Sequence, residues 1–265
     1  YGNGNLLKGG LVYADRITTV SRSYASEIRM PFYGEGLDGL LRARSKQLSG
    51  IVNGIDYNVY NPKTDKDIAV NYSVEDAIKA KAANKTALQK ELGLEENPDA
   101  FMLGIVSRLT DQKGLDLVEC VLDQICAEDV QLVVLGTGEG KYQDMFTYYS
   151  RKYPERVSAN IFYSEALSHR IYASCDAFLM PSLFEPCGLS QLMSLRYGTL
   201  PIVRETGGLR DTVTPYNEVD GTGTGFSFTN YNAHEMLAII RYAKKTYFND
   251  RKAWNEMVLR AMKQD

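Results

Sequence analysis

The sequence predicts an α/β protein built on a doubly wound, Rossmann-like parallel sheet with helices on both faces, and three observations carry that reading. Short apolar, β-branched runs recur at 101–106, 131–135, 157–162, 177–180 and 200–203, the length and composition of buried strands. Between the first two runs Leu115, Val118, Val121, Leu122 and Ile125 fall on one helical face, while Asp116, Glu119 and Asp123 occupy the other. Further helical patterns follow at 141–152, 164–174, 190–197 and 233–248. A strand–helix–strand rhythm of this kind specifies parallel strands covered by crossover helices.

The first hundred residues are less regular. Strands are expected at 16–20 and 49–52 and helices at 24–30 and 74–92, with an Asn-, Asp-, Gly- and Pro-rich loop at 53–66. The core sheet is expected to begin near Phe101, preceded by a lead-in segment.

Composition narrows the function classes. Thirty Lys and Arg against thirty-three Asp and Glu give a net charge of −3 over 265 residues, which excludes a strongly cationic nucleic-acid binder. No apolar run approaches the ~18–20 residues of a membrane span, and no signal segment opens the chain. Cys120, Cys126, Cys175 and Cys187 form no CxxC pair, so reduced thiols and a cytoplasmic location are expected. Only His169 and His234 are present, and no metal-ligand cluster stands out. The chain begins at Tyr1 without a methionine, which suggests a fragment or a processed product.

In open α/β sheets ligands bind beyond the carboxyl ends of the strands, so the loops that follow the strands are where chemistry is expected. After 101–106 comes Ser107-Arg108-Leu109-Thr110-Asp111-Gln112-Lys113-Gly114, which sets two cations at a helix start, a place suited to phosphate oxygens. Gly136-Thr137-Gly138-Glu139-Gly140 follows the second strand and Thr206-Gly207-Gly208-Leu209 the fifth; glycine lets backbone N–H groups approach a ligand closely. The most specific stretch is 181–191, Pro-Ser-Leu-Phe-Glu-Pro-Cys-Gly-Leu-Ser-Gln, where Glu185 is placed to accept sugar hydroxyls. Tyr163 directly follows the third strand, placed to stack on a flat base. Asn53 and Asp56 lie in an Asn-Gly turn. Asp65-Lys66-Asp67 reads as a charged surface turn, and His169 as a packing or surface residue without a carboxylate partner.

Taken together these stretches resemble bacterial glycogen synthase and plant starch synthase, retaining GT-B glycosyltransferases that use ADP-glucose. The resemblance runs in order through 11–16, Gly36-Leu37-Asp38-Gly39, Asn53-Gly54-Ile55-Asp56, 107–114, Ser168-His169-Arg170-Ile171, 185–191, Tyr197-Gly198-Thr199-Leu200-Pro201 and 206–209. It implies that residues 1–60 are the end of an acceptor-side domain with its interdomain lead-in. Residues 61–265 would then be the donor-binding half of the GT-B fold, without its final helices.

The same resemblance implies catalytic roles for Arg108, Lys113 and Glu185, with the two cations on the diphosphate and Glu185 at the glucose. Asn53, Cys187 and Gly188 would lie beside the sugar and Tyr163 on the adenine. Gly136, Gly138, Thr206, Gly207, Gly208 and Leu209 would line the nucleotide-sugar, the last three through backbone N–H groups. Related transferases carry a second glutamate, a ribose contact, where this chain has Met193. The resemblance further implies glucose transfer to the non-reducing end of an α-1,4-glucan with retention, no metal or other cofactor, and no nucleic-acid or membrane partner. The acceptor would bind a preceding domain that carries a Lys-Thr-Gly-Gly-Leu loop, which this chain lacks, so the chain alone is expected to bind ADP but not to transfer.

Two competing readings are weaker. A dinucleotide oxidoreductase built on Gly136-Thr137-Gly138 would place that turn after the first strand of the sheet, and here it falls mid-sheet. A non-catalytic glucan-binding module would have no use for paired cations at a helix start.

Overall fold

A computed structural model describes residues 4–265. Its centre is a six-stranded, all-parallel sheet in the order β5-β4-β3-β6-β7-β8. The strands are β3 (Phe101–Val106), β4 (Val130–Leu135), β5 (Val157–Asn160), β6 (Ala177–Met180), β7 (Leu200–Arg204) and β8 (Phe226–Phe228). The helices that join and flank them are α5 (Leu115–Cys126), α6 (Gly140–Lys152), α7 (Glu165–Ser174), α8 (Ser190–Arg196), α9 (Gly207–Thr212), α10 (Ala233–Asn249) and α11 (Arg251–Met262). Every strand and helix expected from Phe101 onward is present, although the third strand ends at Asn160 instead of at 162.

Burial on both faces explains the unbroken apolar runs. Phe101, Leu103 and Ile105 of β3 join Leu132 and Val134 of β4 in the larger core cluster, with Val118, Val121 and Leu122 of α5. The intervening Met102 and Val133 point to the other face, against Leu88, Leu167 and Ile171. Phe101 meets Tyr247 of α10 and Trp254 of α11 edge to face, with ring centroids 5.3 and 5.8 Å apart, and Trp254 stacks on Phe226 of β8.

Three elements of this part were not read from the sequence. Strand β8 has three residues behind a Gly-rich stretch, too short a pattern to register. Helix α9 opens on two glycines. Helix α11 was legible, since Trp254, Met257, Val258, Ala261 and Met262 are its buried stripe at helical spacing.

The lead-in contains α1 (Leu6–Tyr13), β1 (Ile17–Thr19), α2 (Arg22–Glu27), α3 (Asp38–Ala43), β2 (Leu48–Gly50) and α4 (Ala77–Leu92). Strands β1 and β2 pair in parallel as a separate two-stranded sheet. Helix α4 packs on α7, and α2 on α9, so the lead-in is fastened to the larger sheet at both places. Helices α1 and α3 were not anticipated.

Topology positions the loops. The chain leaves β3 for β4 and β5 on one side, then returns to place β6 against the other side of β3, with Leu103 opposite Ala177. Successive connections therefore diverge between β3 and β6, and a crevice opens beyond their carboxyl ends. Gly114, at φ +70°, ends the loop after β3 so close to the next loop that a Cβ would lie 2.0 Å from the Pro181 carbonyl oxygen. Gly114→Ala is expected to cost about 2 kcal/mol or more, from backbone strain and overpacking together. Chemical denaturation that found the variant within about 0.5 kcal/mol of the parent would contradict this packing.

Candidate functional site

The site is made by the loops that follow β3 and β6. After β3 the chain passes Arg108 and enters a single 3-10 turn, Asp111–Lys113, before Gly114 releases it into α5. The two loops are stitched edge to edge: Leu183 N–H donates to the Gln112 carbonyl at 2.9 Å, and the Gln112 side-chain amide donates to the Phe184 carbonyl at 3.2 Å. Arg204, buried on β7, donates Nε–H to the Ser182 carbonyl at 2.8 Å and a second N–H to that of Leu183 at 2.5 Å. Its guanidinium thus fixes the loop from below.

On this frame Lys113 and Glu185 meet. The ammonium nitrogen lies 2.6 Å from Glu185 Oε2, with side-chain exposures of 17% and 7%. The Ser182 hydroxyl donates to the same oxygen at 3.0 Å. A partly buried charge-assisted pair of this geometry is stronger than a surface one. Arg108 is exposed, and its guanidinium makes one long 3.5 Å contact with Gln112 Oε1, close to the limit of a hydrogen bond.

Two adjoining cavities share Val106, Ser107, Arg108 and Ser190. One, of about 200 Å³, is also lined by Lys113 and Ser182. The other, of about 370 Å³, has Tyr60, Phe162, Tyr163 and Tyr172 among its walls, with Gly136 and Met193; it is of the size and apolar character of small-ligand sites. Tyr163 is 86% exposed at its mouth. Gly138, also exposed, belongs to the turn that pairs with Leu109. A larger cavity of about 580 Å³ contains Asn53 and Arg196 but none of Arg108, Lys113 and Glu185. Asn53 is therefore not brought into the cationic crevice, although its backbone N–H reaches the Cys187 thiol.

Cys187 is buried, and burial pushes its thiol up, with Glu185 and Asp211 adding to the effect against that one hydrogen bond. A thiol raised in this way holds little of the thiolate, the form that attacks. Gly188 turns the chain at φ +71° ahead of α8.

The Thr206–Leu209 turn lies directly beneath Glu185, but its N–H groups are already engaged. Gly207 N–H donates to Glu27 Oε1 at 2.8 Å, Gly208 N–H to the Glu185 carbonyl at 3.0 Å, and Leu209 N–H to the Thr206 carbonyl at 3.1 Å. The Leu209 side chain is a fully buried core residue, and Thr206 is buried as well. In this arrangement the turn supports the crevice instead of offering free donors to it.

Two residues set aside in the sequence prove to be buried together. Asp65 is not a surface acid: its Oδ2 lies 2.6 Å from His169 Nδ1, with side-chain exposures of 3% and 4%, and it also accepts from the Tyr197 hydroxyl and the Asp67 N–H. Burial pulls the imidazole down, but the hydrogen bond and charge of Asp65, with Asp67 and Glu165, outweigh it and leave His169 raised. Burial likewise raises Asp65, yet the hydrogen bonds from His169, Tyr197 and Asp67 leave its carboxyl lowered. Asp65, Asp67 and His169 also form a group with metal-ligand spacing, outside both cavities. Tyr60, a wall of the 370 Å³ cavity, stacks on the His169 ring at 5.0 Å, which connects the pair to the site. Tyr60, Ser182, Gln112, Arg204 and Glu27 were not singled out from sequence; Ser182 and Gln112 at least stood inside loops that were.

The fold and site together define a Rossmann-like domain with a cationic crevice at its topological switch point. The chain belongs to the glycosyl transferases group 1 family, which matches residues 85–258. Residues 1–43 match the starch synthase catalytic domain. The chain is 70% identical over all 265 residues to the glycogen synthase of Lachnospira eligens, and 55% identical over the same length to that of Clostridium acetobutylicum. It spans about half the length of these curated relatives, 55% in each case. Among solved structures it resembles the catalytic domain of starch synthase IV from Arabidopsis thaliana bound to ADP and acarbose, at 34% identity and a TM-score of 0.92, covering 98% of this chain and 54% of that one. The fold extends to Anabaena HepE in complex with UDP and glucose, at 18% identity and a TM-score of 0.65, covering 96% of this chain and 59% of that one. Among the described residues no helix is long and apolar enough to cross a membrane.

The Asp65–His169 pair has a signed pH dependence. A raised imidazole contributes stability that is complete below its ordinary value of 6.5 and disappears as pH climbs through the elevated one. The lowered carboxyl contributes stability above its ordinary value of 3.8 and loses it as pH falls through the depressed one. The melting temperature is therefore expected to fall in the parent as pH rises from the ordinary imidazole range through the raised one. Asp65→Asn should cost about 3–5 kcal/mol and flatten that limb. Parallel melting profiles for the two proteins would overturn the assignment.

Proposed function

We propose that this chain is the donor-binding half of a glucan synthase, which transfers glucose from ADP-glucose to the non-reducing end of an α-1,4-glucan with retention of configuration. The observation that carries this reading is the Lys113–Glu185 pair beyond β3 and β6, beside a cavity that Arg108 and Lys113 both line and an aromatic-walled cavity alongside. The high identity to glycogen synthases supports it.

In this reading the two cations hold the diphosphate and stabilise the negative charge that builds on ADP as the glycosidic bond breaks. Preorganised charge of this kind supplies the largest single contribution in many enzymes. Lys113 stays paired with Glu185 between turnovers, so its ammonium needs little reorganisation when phosphate arrives. Glu185, steadied by Ser182, keeps lone pairs for glucose hydroxyls, with Cys187 and Gly188 beside the sugar. Adenine stacks at Tyr163, near Gly136, in the 370 Å³ cavity. The ADP phosphate acts as base for the acceptor hydroxyl on the face from which it departs, and this chemistry calls on no metal or cofactor. The acceptor glucan binds the remainder of the polypeptide, whose closure over the crevice excludes water from the glycosyl intermediate. A cytoplasmic setting accords with the free cysteines.

Calorimetry tests the proposal. The chain alone is expected to bind ADP weakly and to transfer little glucose. Arg108→Ala should weaken ADP about tenfold to a hundredfold, the loss of one charge-assisted contact. Absence of ADP binding by the parent, or equal binding by the variant, would reject it.

A further inference from the structure

Helices α2 and α9 lie antiparallel, and each gives a carboxylate to the other's first turn. Asp211, near the end of α9, accepts from the Ser21 hydroxyl at 2.7 Å, the Ser23 N–H at 3.0 Å and the Ser23 hydroxyl at 2.6 Å. Glu27, the last residue of α2, accepts from Gly207 N–H at 2.8 Å and the Thr206 hydroxyl at 3.2 Å. The two ends differ in what lies beyond them. The Asp211 hydrogen bonds stop at the first turn of α2.

The Glu27 contacts continue into the site. The turn that Glu27 holds donates Gly208 N–H to the Glu185 carbonyl at 3.0 Å. Gly207, at φ +45°, packs so tightly there that a Cβ would lie 1.9 Å from the same oxygen. Tyr24, one turn before Glu27 on α2, has its phenol raised by burial and then by the negative charges of Glu27, Glu35 and Glu185. The end of α2 and the Glu185 carboxylate thus share one electrostatic neighbourhood.

We propose that Glu27 is a positioning residue for Glu185: it anchors the Thr206–Gly208 turn, the turn anchors the Glu185 main chain, and the side chain is thereby held within reach of Lys113 and of the sugar. The consequence for the sugar rests on the donor-site reading above; the anchoring itself does not. Glu27 touches no reacting group, so its effect is confined to how well the glucosyl part of the donor is gripped. The nucleotide part keeps Arg108 and Tyr163, neither of which lies on the Glu27-held turn, and is affected less.

The test pairs amide hydrogen exchange with calorimetry on the full-length protein, using ADP and ADP-glucose as probes. Glu27→Ala should speed exchange at Gly208 by about tenfold or more. It should also reduce the affinity ratio of ADP-glucose to ADP about tenfold, with ADP itself changed less than about threefold. Glu27→Gln, which keeps an oxygen for Gly207 N–H, should restore both to within about threefold. Asp211→Asn, at the other end of the helix pair, should lower the melting temperature while leaving the Gly208 exchange and the ratio unchanged. Unchanged Gly208 exchange in Glu27→Ala would overturn the anchoring. Faster exchange with an unaltered ratio, or equal loss of the ratio in Glu27→Ala and Asp211→Asn, would overturn its role in the site. If the parent bound no ADP-glucose, the donor-site reading would fall, and the exchange rates would still decide whether Glu27 holds the turn.

Discussion

The pairing of β3 with β6 is the constraint from which the site follows. Leu103 and Gly104 lie opposite Ala177 and Phe178, although three helices and two strands separate these residues along the chain. The connections on either side of this pairing run in opposite directions, so the two loops at its carboxyl end face one another with nothing between them. One loop carries the cations and the other the carboxylate. Lys113 and Glu185 then meet in partial burial, where their attraction is strong and removal of either partner leaves a charge without compensation. The crevice is a product of topology first and of side-chain chemistry second.

That crevice is steadied from outside the sheet. Asp65 reaches His169 on α7 and Tyr197 after α8, Tyr72 donates to the Tyr197 carbonyl at 2.8 Å, and Glu27 holds the turn below Glu185. Each contact ties a residue that precedes α4 to a loop or helix of the six-stranded sheet. The lead-in is therefore packed into the same body as the strands, although it contributes none of them. Such long-range polar contacts, buried or half-buried, give a site the rigidity that preorganised electrostatics require.

The sheet and its loops were readable because their signals are local. An apolar run, a helical stripe and a Gly-rich turn each announce themselves within a dozen residues, and the loops after 101–106 and 177–180 stood out for that reason. Asp65 and His169 were misread for the opposite reason. Asp65 stands in a Pro/Asn-rich loop and looks exposed; its burial depends on a histidine and a tyrosine over a hundred positions away. Glu27 gave no signal either, as a glutamate at the end of a short helix is ordinary until Gly207 is seen beside it. The expectation of free N–H groups at Gly207, Gly208 and Leu209 missed the same contacts, since glycine reveals close approach but not what approaches.

What the sequence by itself determined is the architecture and its chemistry-bearing loops: the parallel α/β order, and the cations and the carboxylate placed just past strands. Hydrophobic period and turn chemistry act over a few residues, so they survive in one dimension. What only the tertiary structure decided is which of those groups meet. The distance between Lys113 and Glu185, the burial of Asp65 with His169, and the grip of Glu27 on the turn under Glu185 all depend on segments far apart in the chain. Desolvation and pairing are properties of the assembled interior, and no run of letters carries them alone.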